Sequence, residues 1–113
     1  MKDGFVKAAA ASPVIKVADA EYNAQQVIKC MAAAREKGVK LLVFPELTLT
    51  GCFCYDLVGH RVLLEGAAAA LEKVVKASEG TDMLVLVGLP YAFGSRLLSC
   101  AAVVYDGALL ALI

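Results

Sequence analysis

Apolar residues recur along this chain with two periods, and the switches between them mark its elements. Gly4 to Ala11 reads as a first strand, a weak one because alanine favours extended backbone poorly, and Ser12-Pro13 stops it. Ala18-Asp19-Ala20 reads as a loop and Asn23 as a helix N-cap. Apolar side chains then fall at Ala24, Val27, Ile28, Met31 and Ala34, the rhythm of an amphipathic helix. Lys29, Arg35, Glu36 and Lys37 lie off that stripe or in the last turn, where cations suit the helix dipole. Gly38 is placed to close the helix as its C′ residue. Val39 to Phe44 is apolar except for Lys40, the pattern of a strand covered on both faces. Pro45 has no N–H for a ladder bond and ends it.

After Gly51 comes Cys52-Phe53-Cys54-Tyr55-Asp56-Leu57, a loop rich in apolar and aromatic groups that should pack over a pocket or a neighbouring subunit. A second helix carries Leu64, Ala67, Ala68, Leu71, Val74, Val75 and Ser78 on one side. Glu65, Glu72, Lys73 and Lys76 take the other, with Glu72 and Lys76 a favourable i,i+4 pair. Glu79-Gly80-Thr81-Asp82 ends it, and Met83 to Leu89 reads as a buried strand stopped by Pro90. Phe93-Gly94-Ser95-Arg96 reads as a turn. Leu97–Tyr105 and Ala108–Ile113 are strands joined by Asp106-Gly107, a strong hairpin signal. The order β-α-β-α-β-β-β predicts one α/β domain, its sheet mixed because the closing hairpin is antiparallel.

Composition narrows the functions this domain can serve. With 113 residues the chain holds one domain at most, and 60% hydrophobic residues with a mean hydropathy of +0.71 is high for one standing alone. Zero formal net charge gives no basic face for nucleic acid. No uncharged run reaches membrane-spanning length, because Asp106-Gly107 interrupts the apolar tail from Leu97, and no signal-peptide pattern follows Lys2 and Lys7. Neither nucleic acid nor membrane is therefore an expected partner. The four cysteines, Cys30, Cys52, Cys54 and Cys100, form no disulfide framework, and reduced thiols point to the cytoplasm. Cys52 and Cys54 are too close for the usual zinc spacing and His60 is the only histidine, so no metal is expected. Neither a GxGxxG nor a GxxxxGK[ST] run is present, so no nucleotide is expected on this segment.

The candidate chemistry sits at Glu46, a carboxylate just past a strand end, where α/β proteins place ligands; the plainer alternative is that it caps the next turn. Phe44-Pro45-Glu46-Leu47-Thr48-Leu49-Thr50-Gly51 resembles the first catalytic motif of the nitrilase (carbon–nitrogen hydrolase) superfamily. Tyr55-Asp56-Leu57, Val87-Gly88-Leu89-Pro90, Leu98-Ser99-Cys100-Ala101-Ala102-Val103-Val104 and Asp106-Gly107 follow in that family's order and cover most of the chain. The resemblance implies an α-β-β-α sandwich, of which residues 1–113 would be the N-terminal portion. It implies Glu46 as general base beside a cysteine nucleophile and an oxyanion-stabilising lysine. In relatives the lysine follows a strand like Ala108–Ile113 and the cysteine lies further on. Both are therefore expected beyond Ile113, and the chain alone is expected to be an inactive fragment.

Within the superfamily the resemblance is nearest to the N-terminal glutaminase domain of glutamine-dependent NAD synthetases. That implies glutamine as substrate, with ammonia passed to a separate synthetase domain that binds ATP and deamido-NAD. It also implies the remainder of the same chain, and further copies in a homo-oligomer, as partners. Another amidohydrolase of the superfamily, and a non-catalytic α/β module with a structural Phe44-Pro45-Glu46-Leu47, stand as alternatives. Cys52 takes the place of a tyrosine that lines the substrate pocket in relatives, a candidate substrate contact with more room and no hydroxyl. The other residues that could invite a role have plainer explanations. Cys30 and Cys100 read as packing, and Cys54 matches no nucleophile motif. Lys40 reads as a snorkelling edge residue, Tyr55 and Asp56 as helix entry, and His60 and Arg96 as solvent-facing.

Overall fold

A computed structural model describes residues 6–51, 57–93 and 96–113, apart from the side chains of 57–60 and 96. Its elements are β1 (Ala8–Ala10), α1 (Ala20–Glu36), β2 (Leu41–Val43), α2 (Leu57–Ala77), β3 (Leu84–Phe93), β4 (Arg96–Tyr105) and β5 (Ala108–Leu112). They build a five-stranded sheet in the order β1-β2-β3-β4-β5. β1, β2 and β3 are parallel and joined through the helices; β4 adds antiparallel to β3, and β5 antiparallel to β4. The predicted order of elements and the mixed sheet are both present.

Two successive crossovers in one direction place both helices on the same face of the sheet. There Val27 and Met31 of α1 and Ala67, Ala70 and Val74 of α2 meet Leu42, Val85, Val87, Ala102 and Val104. The alternate strand positions point the other way. Val43 is 38% exposed and Tyr105 36%, and Leu41, Leu84, Leu86 and Val103 are half-buried. This corrects the expectation that the strand before Pro45 is covered on both faces, because the two helices cover only one.

Four local expectations shift. The cap of α1 is Asp19, which accepts from Tyr22 N at 3.1 Å, and Asn23 lies inside the helix, fully buried. β1 spans only Ala8–Ala10 among the described residues. β3 runs through Pro90 to Phe93. The carbonyls of Leu86 and Gly88 point toward β2, accepting from Phe44 and Leu49, so by alternation the nitrogen of Pro90 also faces that side, past the end of β2. No ladder bond to β4 is lost there. On α2 the buried side is Leu63, Ala67, Ala70, Leu71 and Val74, while Ala68 is exposed.

The helix and hairpin ends follow their local chemistry. Gly38, at φ 75°, and Val39 donate to Arg35 O and Ala34 O, the paired bonds of a Schellman motif closing α1. Asp106 and Gly107 have φ of 45° and 77°, the left-handed pair of a type I′ hairpin turn. Gly107 N donates to Ser78 Oγ at 2.8 Å and Asp106 Oδ1 accepts from Gly80 N at 2.9 Å, tying the turn to the end of α2. Among the described residues no helix is long and apolar enough to cross a membrane.

Candidate active site

Glu46 stands where β2 ends. The last bond from that strand to β3 is Phe44 N to Leu86 O at 2.9 Å, and Pro45 then stops the ladder. The chain turns at Leu47, whose φ of 54° is left-handed, an uncommon conformation for a bulky side chain. Three bonds close the turn. Thr50 N and Gly51 N donate to Leu47 O at 3.1 and 2.6 Å, and Thr48 Oγ1 donates to Pro45 O.

Neighbouring elements clamp this turn from three sides. Leu49 N donates to Gly88 O on β3 at 3.1 Å, and Ala18 N donates to Thr50 O at 2.7 Å. Asn23 Nδ2 donates to Leu49 O at 3.0 Å and to Lys16 O at 2.7 Å, while Asn23 Oδ1 accepts from Lys16 N at 2.7 Å. One buried amide thereby joins α1, the loop before it and the turn bearing Glu46. At Gly88 the turn lies directly on the β3 backbone. A Cβ there would fall 2.5 Å from Leu47 N and 2.6 Å from Pro45 O.

The Glu46 carboxylate is exposed on the face of the sheet away from the helices, and its Oε1 accepts from Ser99 Oγ at 2.7 Å. It opens onto a shallow cleft of about 330 Å³, bounded by Phe44, Pro45, Gly88, Ala101 and Ile113. One oxygen is thus held and the other is left to accept a proton. Lys40 sits at the opposite end of β2, and its ammonium reaches the exposed Asp82 carboxylate at 3.0 Å. The Tyr105 hydroxyl, 2.6 Å away, and Lys40 hold the Asp82 carboxyl below the usual carboxylate range. That carboxylate in turn pushes the Tyr105 phenol up.

The fold therefore brings Glu46 to Ser99, and Cys100 next to Ser99 also borders the cleft. Cys100 is buried and alternates to the opposite face of β4 from Ser99, and Cys30 is half-buried on α1. Cys52, Cys54, Tyr55 and Asp56 lie outside the described residues, as do the side chains of His60 and Arg96. Sequence reasoning assigned no site role to Ser99 or Gly88 and read Asn23 only as a helix cap. Two carry a signal in hindsight: Ser99 is a hydroxyl within the apolar run from Leu97 to Val104, and a glycine inside a strand marks close approach of another backbone.

A βαβαβ unit widened by an antiparallel hairpin is an α/β domain, here with an exposed carboxylate held beside a cleft at the end of a parallel strand. Residues 7–110 match the carbon-nitrogen hydrolase family, and the chain belongs to it. It is 33% identical over 110 residues to the glutamine-dependent NAD(+) synthetase of Mycobacterium tuberculosis strain H37Rv, covering 97% of this chain and 16% of that protein. Against the protein of the same name from Mycobacterium leprae it is 30% identical over 107 residues, covering 95% and 16%. The chain thus spans about a sixth of the length of these curated relatives. The fold is that of a glutamine-dependent NAD(+) synthetase from Cytophaga hutchinsonii, at TM-score 0.84 and 23% identity over 95% of this chain and 18% of that one. It is also that of an amidase from Nesterenkonia sp., at TM-score 0.76 and 21% identity over 95% and 41%.

Proposed function

We propose that this segment is the N-terminal part of a glutaminase domain, supplying ammonia for the ATP-dependent amidation of deamido-NAD to NAD. The observation that carries the reading is Glu46, fixed at the end of β2 within the Phe44–Gly51 motif, one oxygen bonded to Ser99 and the carboxylate open to a cleft. In this reading Glu46 takes the proton of a cysteine thiol as the sulfur attacks the amide carbon of glutamine. It returns that proton to the departing nitrogen, and ammonia leaves a thioester behind. Water, deprotonated by the same carboxylate, then releases glutamate and restores the thiol.

The cysteine and an oxyanion-stabilising lysine are assigned to residues following Ile113, and the register of β5 supports that assignment. Ala101 and Ile113 exchange both backbone bonds at 2.9 Å, so a chain continuing in this register passes Ser99 and comes up beside Glu46. ATP and deamido-NAD belong to a separate synthetase domain. Cys52 borders the same motif and remains the proposed substrate contact on the following loop.

Glu46→Gln in the full-length protein keeps the shape of the side chain and removes its basicity. Glutamine-supported NAD synthesis should fall by at least ~10²-fold while ammonia-supported synthesis persists. Near-normal glutamine hydrolysis in that variant would refute the assignment of Glu46 as base.

A further inference from the structure

We infer that Ser99 is a positioning residue for Glu46, a role that rests on the proposed part of Glu46 as base. A carboxylate at the end of a strand rotates freely about its last side-chain torsion unless a donor holds one oxygen. Ser99 is such a donor, reached across 53 residues of sequence, with its hydroxyl 2.7 Å from Glu46 Oε1. Its place is set by β4, where it pairs with Pro90 and points away from the helices while Cys100 beside it is buried. Pro90 is fully buried and the Glu46 turn lies against Gly88 on the same strand, so donor and acceptor both rest on β3. The hydroxyl has a charged acceptor, and such bonds are the stronger class. Holding Oε1 leaves Oε2 as the oxygen that takes and returns the proton, and fixes the direction in which it does so. A hydroxyl engaged in this way acts on the orientation of the base.

Steady-state kinetics of the full-length protein test this with Ser99→Ala, Ser99→Thr and Glu46→Gln side by side. Ser99→Ala should lower glutamine-dependent kcat by about 10- to 100-fold with KM nearly unchanged. Ser99→Thr, which restores the hydroxyl on a residue suited to a strand, should recover most of that loss. Ammonia-supported synthesis and the thermal unfolding transition of the full-length protein should be normal in both, showing that the synthetase domain and the domain bearing Ser99 are folded. A wild-type kcat in Ser99→Ala, a loss expressed in KM alone, or no recovery in Ser99→Thr would each overturn the inference. If Glu46→Gln is dead while Ser99→Ala is normal, the positioning role fails and the base assignment stands. An active Glu46→Gln variant removes both.

Discussion

Asn23 needs an amide, because its surroundings demand both donation and acceptance. The buried side chain accepts from Lys16 N and donates to the carbonyls of Lys16 and Leu49. Asn23→Ala strands a donor and two acceptors, and the domain should lose about 1–3 kcal/mol. Asn23→Asp is nearly the same shape but turns a carboxylate oxygen toward two carbonyls, so it should destabilise at least as much. Calorimetry of the full-length protein should show the domain's transition lowered in both variants, and hydrogen exchange should quicken at the Leu49 and Thr50 amides. An Asn23→Asp transition at the wild-type temperature would refute this account. Residue chemistry of this kind was only partly legible in the chain. Glu46 could be found because a strand, a proline and a motif surround it locally. Asn23 looked like an N-cap because the rule for caps weighs only near neighbours, and its real acceptor at Leu49 lies 26 positions away.

At the scale of elements, β3 carries the site. Its Val85, Val87 and Leu89 fill the helix-facing core, while Gly88 leaves room for the Glu46 turn on the other side. The helices, the Gly38 stop and the Asp106-Gly107 hairpin were readable because each depends on spacing of a few residues. The path of β3 beyond Pro90 was not, since it depends on which edge the proline nitrogen faces, and that is set by where β2 ends. Gly88→Ala tests the close approach. The added methyl meets backbone atoms at 2.5 and 2.6 Å, which cannot rotate away as a flexible side chain would. Shifting them should cost about 1–3 kcal/mol and move Glu46 off Ser99. Glutamine-supported turnover should fall by at least about tenfold, with ammonia-supported synthesis retained. Gly66→Ala is the control. It lies in α2, where an added Cβ would stand 3.8 Å from its nearest neighbour, and should be neutral or stabilising. Equal activity in the two variants would mean the Glu46 turn does not depend on the bed at Gly88.

For the whole molecule, the consequence is an uneven sheet. One face is sealed by two helices. The other presents Leu41, Val43, Leu86, Val103, Tyr105 and Ile113, the last 75% exposed, on the same side as Ser99 and Glu46. In the proposed two-sheet sandwich, a second sheet from the remainder of the chain covers this face, and the same covering encloses Glu46. Several hundred Å² of uncovered apolar surface, at ~25 cal/mol per Å², corresponds to on the order of 10 kcal/mol. That rivals the entire stability of a small domain. Residues 1–113 expressed alone should therefore be marginal and should self-associate through this face or aggregate. Sedimentation velocity at micromolar concentration, paired with thermal unfolding, reads this directly, and Val103→Lys supplies the complementary arm. A charge at the centre of the face should disperse the self-associated 1–113 segment, yet prevent folding of the full-length protein, where that position is to be buried. A monodisperse, cooperatively melting monomer of residues 1–113 would show that the face needs no cover, and full-length protein indifferent to Val103→Lys would show that nothing packs there. Either result would remove the second sheet from the proposed architecture.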